Sequence, residues 1–251
     1  MSVLKYFDAH AHTQNGGGFA RSDLTLCNGT GPGDWQKVLD AARADRGTLP
    51  CFGLHPWFIG SAGGGWLEKL ESFLERQPRS CVGEIGLDAV KGTDAAAQEE
   101  AFTAQLRLAK KLNRPACLHC VGAYDRMLAI IKDVRPGTFM LHAYSGPTKT
   151  TENFAALGAY FSFGAAFTDP SRINARRALF DVPPARLLFE TESSDPPDLR
   201  ALIPAAAELT GRSVSELAEL SWINGNNFLA QLSASRSAGA SGSPSDIPHH
   251  D

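Results

Sequence analysis

Histidines in this chain lie where short apolar runs end. The chain has seven histidines, and the five outside its final residues share this position. They are His10, His12, His55, His119 and His142. In barrels of parallel strands, catalytic groups gather at the edge where the carboxyl ends of the strands meet. Because imidazole nitrogens gathered there are ligands for divalent metal ions, the pattern predicts a metal-dependent active site.

The first histidine pair stands in the segment Asp8–His12, DAHAH. Strand side chains alternate between faces, so His10 and His12 point the same way. Their backbones lie roughly 6.6 Å apart along a strand, and both rings can therefore reach one ion about 2.0–2.1 Å from each nitrogen. Asp8 shares that face one step deeper, where it either orients a ligand or makes a buried hydrogen bond.

Carboxylates complete the candidate ligand set. Glu84 lies inside the apolar run Ser80–Ile85, where an unpaired carboxylate is costly; bound metal ions or a salt bridge to a basic side chain would offset that cost. Glu190 and Glu192 share one face at another strand end. We assign Glu192, nearer the mouth, as a ligand and the water-activating base, with Glu84 as the second catalytic carboxylate. We expect Glu190 to act behind the ligands or in a buried salt bridge.

The predicted ligands are mixed nitrogen and oxygen donors. They are His10, His12, Glu84, His119, His142 and Glu192. This set, without thiolates, suits Mg²⁺, Mn²⁺ or Zn²⁺. Six ligands are too many for one catalytic ion that must keep open positions, so we predict two divalent ions about 3.5–4 Å apart. Such a pair suits hydrolysis of a phosphoester or an amide.

Three further residues are predicted substrate contacts at the mouth of the site. His55 and Tyr144 are placed to contact a phosphate or the leaving group. Trp57, two residues after His55, is placed to stack on a nucleic-acid base. Packing beneath a loop is the alternative for Trp57.

Apolar runs and amphipathic stretches alternate along the chain. The runs are Val3–Phe7, Leu24–Cys27, Pro50–Leu54, Ser80–Ile85, Pro115–His119, Thr138–His142, Ala159–Phe163 and Leu187–Thr191. The helical stretches are Trp35–Ala44, Gly65–Arg76, Ala95–Leu112, Ala123–Asp133, Thr148–Leu157, Arg172–Phe180, Leu199–Glu208 and Ser213–Gln231. This alternation predicts an α/β fold, a closed (β/α)8 TIM barrel. An open doubly wound sheet is the alternative, although no GxGxxG follows the first run.

Composition narrows the class of protein. The chain has 251 residues, is 43% hydrophobic and 20% charged, and carries a net charge of −3. This charge disfavours a broad basic face for duplex DNA, and no apolar run approaches the roughly 20 residues that span a bilayer. The chain has five cysteines, an odd number, so they cannot all form disulfides within the chain. We expect a reduced, cytoplasmic monomer. We predict one domain over residues 1–232 and a disordered Ser/Gly/Ala/Pro tail over 233–251.

Six motifs in order resemble those of the TatD family of metal-dependent hydrolases and deoxyribonucleases, within the amidohydrolase-like superfamily. They are DAHAH at Asp8–His12, GLHP at Gly53–Pro56, GEIGLD at Gly83–Asp88, PACLH at Pro115–His119, HAYSG at His142–Gly146 and LFETE at Leu188–Glu192. The resemblance implies a divalent-metal site and hydrolysis of phosphodiesters, typically DNA from a 3′ end. It matches His10, His12, Glu84, His119 and His142 to metal ligands.

The sequence departs from the family pattern at two positions that bear on function. Glu192 stands where the family usually has Asp, and Val121 where it commonly has Arg. We therefore predict a hydrolase acting on single-stranded DNA or a small phosphoester. One alternative is a metal-dependent amide, lactone or other ester hydrolase of the same superfamily, and another is a catalytically impaired metal-binding barrel.

Overall fold

The computed structural model describes residues 3–13, 22–92, 94–192 and 198–239. Eight parallel strands pair in chain order and close into a barrel, with β1 hydrogen-bonded to β8. The strands are β1 (Phe7–Ala11), β2 (Leu24–Asn28), β3 (Thr48–Phe52), β4 (Cys81–Asp88), β5 (Ala116–Val121), β6 (Phe139–Leu141), β7 (Tyr160–Phe163) and β8 (Leu187–Phe189). The predicted (β/α)8 barrel is confirmed.

Helices cover the outside of the barrel and connect its strands. They are α1 (Trp35–Ala44), α2 (Trp66–Arg76), α3 (Ala95–Lys111), α4 (Tyr124–Val134), α5 (Thr148–Ala156), α6 (Ile173–Asp181), α7 (Leu199–Thr210) and α8 (Val214–Gly239). Short 3₁₀ helices occupy Pro56–Ser61, Ala165–Thr168 and Pro184–Arg186. No helix in the described ranges is both long and apolar enough to cross a membrane.

Two apolar layers hold the barrel together. The larger lies between strands and helices and includes Trp35, Phe102 and Phe154. The smaller draws side chains from all eight strands and from α8, among them Phe7 and Phe228. Cys27, Cys51, Cys81 and Cys117 are buried free thiols in these layers, as predicted for small hydrophobic residues.

Helix α8 closes the amino-terminal end of the barrel, opposite the mouth. Gly225 lies so close to β1 that a Cβ there would overlap the ring of Phe7. The side-chain amide of Asn224 donates to the carbonyl oxygens of Pro184 and Leu187, both at 2.8 Å. The helix therefore anchors the start of β8 and seals the inner layer.

Helix α3 fixes two strand ends that face the mouth. The side-chain amide of Gln105 accepts from the backbone N–H of Leu54 at 2.7 Å and donates to its carbonyl oxygen at 3.1 Å. Gln98 makes the same two-point contact with Asp88, at 2.7 and 3.0 Å. These buried amides hold the backbone that presents the side chains after β3 and at the end of β4.

Most predicted boundaries shift by one to three residues, and two differences bear on the site and on the predicted tail. The first strand covers Phe7–Ala11 and not Val3–Phe7, because the polar side chains of Asp8 and His10 find partners inside the barrel and are buried. Helix α8 continues to Gly239, past Leu232, so the first part of the predicted tail is helical in its backbone. Residues 240–251 of that tail lie outside the described residues.

Candidate metal centre

Glu84 lies at the centre of a cluster of histidines inside the barrel mouth. It stands in the middle of β4 and is only 2% exposed. Its Oε2 lies 3.5 Å from His10 Nε2 and 3.3 Å from His12 Nε2. The other oxygen, Oε1, lies 2.9 Å from His119 Nδ1 and 2.7 Å from His142 Nε2. The two oxygens of one carboxylate therefore face two different pairs of imidazoles.

His55 joins the cluster on the Oε1 side, with its Nε2 at 3.2 Å from Glu84. Two sets of three ligand atoms lie within 4.8 Å of one another. They are His10, Glu84 and His142, and His55, Glu84 and His119. The structure thus brings together five of the six predicted ligands, together with His55, which the sequence assigned to substrate contact.

The hydrogen-bond partner of the second ring nitrogen distinguishes these histidines. His12 Nδ1 lies 2.9 Å from the carbonyl oxygen of Asn28, and His119 Nε2 lies 3.1 Å from Asp88 Oδ2. His142 Nδ1 lies 3.6 Å from Glu190 Oε1, which is ion-pair distance and too long for a hydrogen bond. An acceptor at one nitrogen places the proton there and leaves the lone pair of the other nitrogen for a metal, the usual arrangement around metal-binding histidines. His12 and His119 therefore present metal-binding nitrogens toward Glu84, and His142 Nε2 faces the same carboxylate at 2.7 Å.

His55 carries its proton on the ring nitrogen that faces Glu84, unlike His12 and His119. Its Nδ1 accepts a hydrogen bond from the backbone N–H of Trp57 at 3.1 Å, so the proton of the neutral ring resides on Nε2. Nε2 points at Glu84 as a hydrogen-bond donor. His55 is thus suited to hold an oxygen atom at the mouth, and less suited to bind an ion through Nε2.

The electrostatics of the cluster favour a cation. Burial and the neighbouring His142 lower the pKa of His10 to about 4, so this ring is neutral, the form that binds metals. Burial alone would raise the pKa of Glu84, but His142 and His10 outweigh it and hold that pKa well below its usual range. Burial alone would lower the pKa of His142, but the charges of Glu84 and Glu190 raise it well above normal. Positive charge is stabilised between these carboxylates.

The donor set fits divalent ions. His10 Nε2 and His12 Nε2 lie 3.1 Å apart, although two imidazoles gain nothing from this contact without a proton or ion between them. The Nδ1 of His10 is buried without a hydrogen-bond partner in the described residues. Nitrogen and carboxylate oxygen donors without thiolate are typical of Zn²⁺, Mn²⁺ and related ions.

Glycine at position 86 permits the approach of β4 to β5. Gly86 has φ of 155°, and a Cβ there would overlap the carbonyl oxygen of His119. Residue 86 pairs with His119 across the two strands. The absence of a side chain therefore keeps Glu84 and His119 at ligand distance from each other.

Two buried carboxylates support the strand ends behind the ligands. Asp8 accepts from the hydroxyl of Thr191 at 2.6 Å and from its backbone N–H at 3.0 Å. Burial raises the pKa of Asp8 to about 7 even though these hydrogen bonds lower it. Glu190 accepts from the backbone N–H of Ala143 at 2.9 Å and from the hydroxyl of Ser162. Asp8 therefore makes a buried hydrogen bond, one of its two predicted roles, and Glu190 stands behind His142.

Glu192, predicted as ligand and base, lies at the rim rather than inside the cluster. It is exposed, has φ of 64°, and is absent from both sets of ligand atoms. Partial desolvation of its carboxylate and the charge of Glu190 raise its pKa above the ordinary value. A carboxyl group with a raised pKa beside the ligands is suited to exchange a proton with a bound water.

Tyr144 lies in the outer apolar layer and not at the mouth, where the sequence predicted a substrate contact. The side chain is 2% exposed and packs at 4.7 Å from the ring of Phe161. Its hydroxyl is hydrogen-bonded to Thr151 at 3.1 Å. Ala143 has a positive φ of 44°, so the chain leaves the strand conformation after His142 and Tyr144 turns into the outer layer.

Asp88 is a functional candidate that the sequence reasoning left unassigned. Its carboxylate accepts from His119 Nε2, from the indole N–H of Trp57 at 2.6 Å, and from the backbone N–H groups of Val90 and Lys91, both at 2.8 Å. Trp57 is 38% exposed. Asp88 therefore orients a candidate ligand and an aromatic residue at the mouth together.

A comparison with known protein families shows to which family this chain belongs. The family described as TatD related DNase matches residues 7–233. The chain belongs to this TatD-related family. Escherichia coli YjjV, named an uncharacterized metal-dependent hydrolase, is 32% identical over 170 residues, or 65% of each chain. A protein of Cronobacter turicensis named 3′-5′ ssDNA/RNA exonuclease TatD is 32% identical over 206 residues, covering 80% of this chain and 75% of that one.

Solved structures of TatD-family proteins share the fold. The crystal structure of E. coli YjjV superposes with a TM-score of 0.79 at 24% identity, covering 89% of this chain and 97% of that one. A TatD family hydrolase from Entamoeba histolytica gives a TM-score of 0.76 at 14% identity, covering 91% of this chain and 99% of that one.

The sequence alignment with a second TatD exonuclease, from Cronobacter sakazakii, is 34% identical and spans 67% of this chain and 65% of that relative.

Proposed function

We propose that this chain is a divalent-metal-dependent phosphodiesterase that hydrolyses single-stranded nucleic acid. One observation carries the proposal: the two oxygens of buried Glu84 face two pairs of imidazole nitrogens. One carboxylate bridging two ions is the arrangement suited to displacement at phosphorus. The names of the TatD exonucleases support the choice of substrate.

We assign the ion-binding residues by the oxygen of Glu84 that each faces. His10 and His12 would hold one ion together with Oε2, and His119 and His142 would hold the second together with Oε1. Two bound ions of the Mg²⁺, Mn²⁺ or Zn²⁺ class would lower the pKa of the attacking water and stabilise the leaving oxygen. Asp88 and Glu190 orient His119 and His142 from behind.

Glu192, His55 and Glu84 have separate roles in the proposed reaction. Glu192, exposed at the rim with a raised pKa, takes the proton of the attacking water. His55 carries its proton on Nε2, because its Nδ1 accepts from the backbone N–H of Trp57. That proton faces Glu84 Oε1 at 3.2 Å and would be shared with an oxygen of a bound substrate. Glu84 remains anionic throughout, since the surrounding imidazoles hold its pKa low.

Cleavage of an end-labelled single-stranded oligonucleotide tests this proposal. We expect a ladder of products with Mg²⁺ or Mn²⁺ and none with EDTA or with the His10→Ala variant. Label at each end in turn gives the polarity. The matched control is Lys37→Ala, at an exposed position on α1, which should cleave like the wild type.

Bound metal without cleavage of any oligonucleotide would contradict the proposal. If metal analysis finds bound ions while no oligonucleotide is cut, phosphodiesterase activity is refuted. An ester, lactone or amide screened with the same ions then becomes the substrate class to examine. Absence of turnover on every class would instead identify a catalytically impaired barrel.

A further inference from the structure

The ammonium group of Lys91 lies at the mouth of the site, against the ring of Trp57. The residue lies in the loop between β4 and α3 and is exposed. Its Nζ lies 3.5 Å from the centroid of the Trp57 ring, close enough for a cation–π contact. Its backbone N–H donates to Asp88 Oδ1. In the described ranges, no carboxylate lies within ion-pair distance of this ammonium.

Trp57 and Asp88 connect this ammonium to the candidate metal ligands. The indole N–H is bound to Asp88, and the same carboxylate is bound to His119. The Trp57 ring lies edge-to-face with His55 at a centroid distance of 4.8 Å and with His119 at 6.0 Å. The Trp57 indole therefore contacts Lys91 and also His55, His119 and Asp88 of the candidate metal centre.

The position of Lys91 changes the role of Trp57. The ammonium covers one face of the indole, so a base stacking on that face would displace it. The hydrogen bond to Asp88 orients the indole, and Lys91 packs against the face of the oriented ring. Trp57 is thus better placed to hold the ammonium than to stack on a nucleotide.

The charge of the mouth makes a cation there useful. Five carboxylates lie within the cluster, behind it or at its rim: Asp8, Glu84, Asp88, Glu190 and Glu192. Positive charge at the rim, in addition to that of ions bound in the cluster, would attract a polyanionic strand to the site. Among the described residues, Lys91 is the Lys or Arg side chain that is stacked on, hydrogen-bonded to or ion-paired with the residues of this mouth.

We propose that Lys91, held over Trp57, binds a backbone phosphate of the single-stranded substrate beside the metal centre. This inference rests on the proposed nucleic-acid substrate. A compact ammonium on a flexible stem binds phosphate as a point charge and reads no base. Its contribution is therefore to affinity for any sequence and to the salt dependence of binding.

Direct binding tests the inference independently of cleavage. The probe is a fluorescein-labelled single-stranded phosphorothioate oligonucleotide, which resists hydrolysis, mixed with the full chain and Mn²⁺. Anisotropy titrations between 50 and 200 mM salt give the affinity and its salt slope. The variants are Lys91→Met, which keeps the aliphatic stem without the charge, Lys91→Arg, and the control Lys37→Met.

One phosphate contact to a single strand contributes about 0.7 to the slope of log affinity against log salt. We expect Lys91→Met to lower the slope by about that amount and the affinity about threefold to tenfold, uniformly across sequences. Lys91→Arg should keep the slope, and so should Lys37→Met. An abasic oligonucleotide should show the same loss with Lys91→Met, because the phosphate and not the base is bound.

A wild-type slope in Lys91→Met would overturn the inference, and so would the absence of oligonucleotide binding by the wild type. A loss of affinity that disappears with the abasic strand would also refute it, in favour of base contact. Cleavage of ordinary DNA by the wild type is measured in parallel. Failure of cleavage with a Lys91-dependent slope refutes the proposed function alone, whereas cleavage with an unchanged slope refutes only the role of Lys91.

Discussion

The backbone N–H of Glu192 donates a hydrogen bond to the carbonyl oxygen of His10 at 2.9 Å. This bond extends the pairing of β8 with β1 to the rim, where residue 192 forms an isolated bridge with Ala11. It places the exposed Glu192 beside a candidate ligand without inserting its carboxylate into the cluster.

Glu192→Gln should separate proton transfer from metal binding. Because Gln keeps the size of Glu192 without a group that accepts a proton at neutral pH, we expect kcat to fall about 10²-fold or more. Metal content should stay at the wild-type value. Wild-type kcat in Glu192→Gln would show that another group takes the proton, and a gain of activity in Glu192→Asp would support the impaired-barrel alternative.

Glu84→Gln should abolish binding of both ions at once. The substitution removes the charge that faces five imidazoles and replaces one oxygen by an amide N–H₂ group, which cannot bind a cation. Metal analysis after gel filtration should give less than one ion per chain, with unchanged circular dichroism. Glu99→Gln is the matched control, since Glu99 pairs with Arg126 on the surface. Retention of one full ion in Glu84→Gln would contradict the shared-carboxylate assignment.

Asp88→Asn should weaken metal binding without removing any ligand. Asn offers one acceptor where Asp88 accepts from four donors, so the ring of His119 loses its orientation. Loss of such a supporting acceptor typically costs about 10–100-fold in metal affinity, measurable by competition with a fluorescent chelator. Asp45→Asn, in a surface turn with Gly47 and Thr48, should leave metal affinity unchanged. Equal affinities for wild type and Asp88→Asn would make the contact with His119 incidental.

Gly225→Ala should destabilise the fold while leaving the distant mouth intact. The added methyl group overlaps the ring of Phe7, and overpacking of a core typically costs about 1–3 kcal/mol. Urea denaturation measures the change in the free energy of unfolding. The control is Gly64→Ala, where an added Cβ meets nothing within 4 Å. A stability equal to wild type in Gly225→Ala would mean that α8 shifts freely on the barrel.

Removal of metal should lower the Tm. Ions that bind the folded chain alone stabilise it by about 2.7 kcal/mol when present at a hundred times Kd. Dialysis against EDTA should therefore lower the Tm, and Mn²⁺ should restore it. The His10→Ala, His12→Ala double variant should show a smaller response, and a chelator effect equal to wild type in that variant would place the stabilising ion elsewhere.

The barrel was predictable because burial on both faces leaves nearly continuous apolar runs, separated by amphipathic helices. The convergence of His10 and His12 followed from strand periodicity, and that of His119 and His142 from the edge at which strand ends meet. These inferences use geometry that holds throughout a regular strand.

The structure departs from the predicted side-chain positions where the regular strand geometry ends. β8 ends at Phe189 and Glu192 has a left-handed backbone, so alternation does not predict where its carboxylate points. The positive φ of Ala143 turns Tyr144 away from the mouth in the same manner. Asp88 was missed because its partner His119 is 31 residues away, and no local pattern marks such a contact.

The shared position of Glu84 has a thermodynamic consequence for the proposed two-ion centre. An ion held at one oxygen withdraws charge from the same carboxylate and fixes its orientation for the other. The two binding events are therefore linked, and each ion alters the affinity of the other by the same factor. Metal titrations of this protein should follow a coupled isotherm, with the half-loaded chain as a distinct species whose population depends on the sign of that coupling.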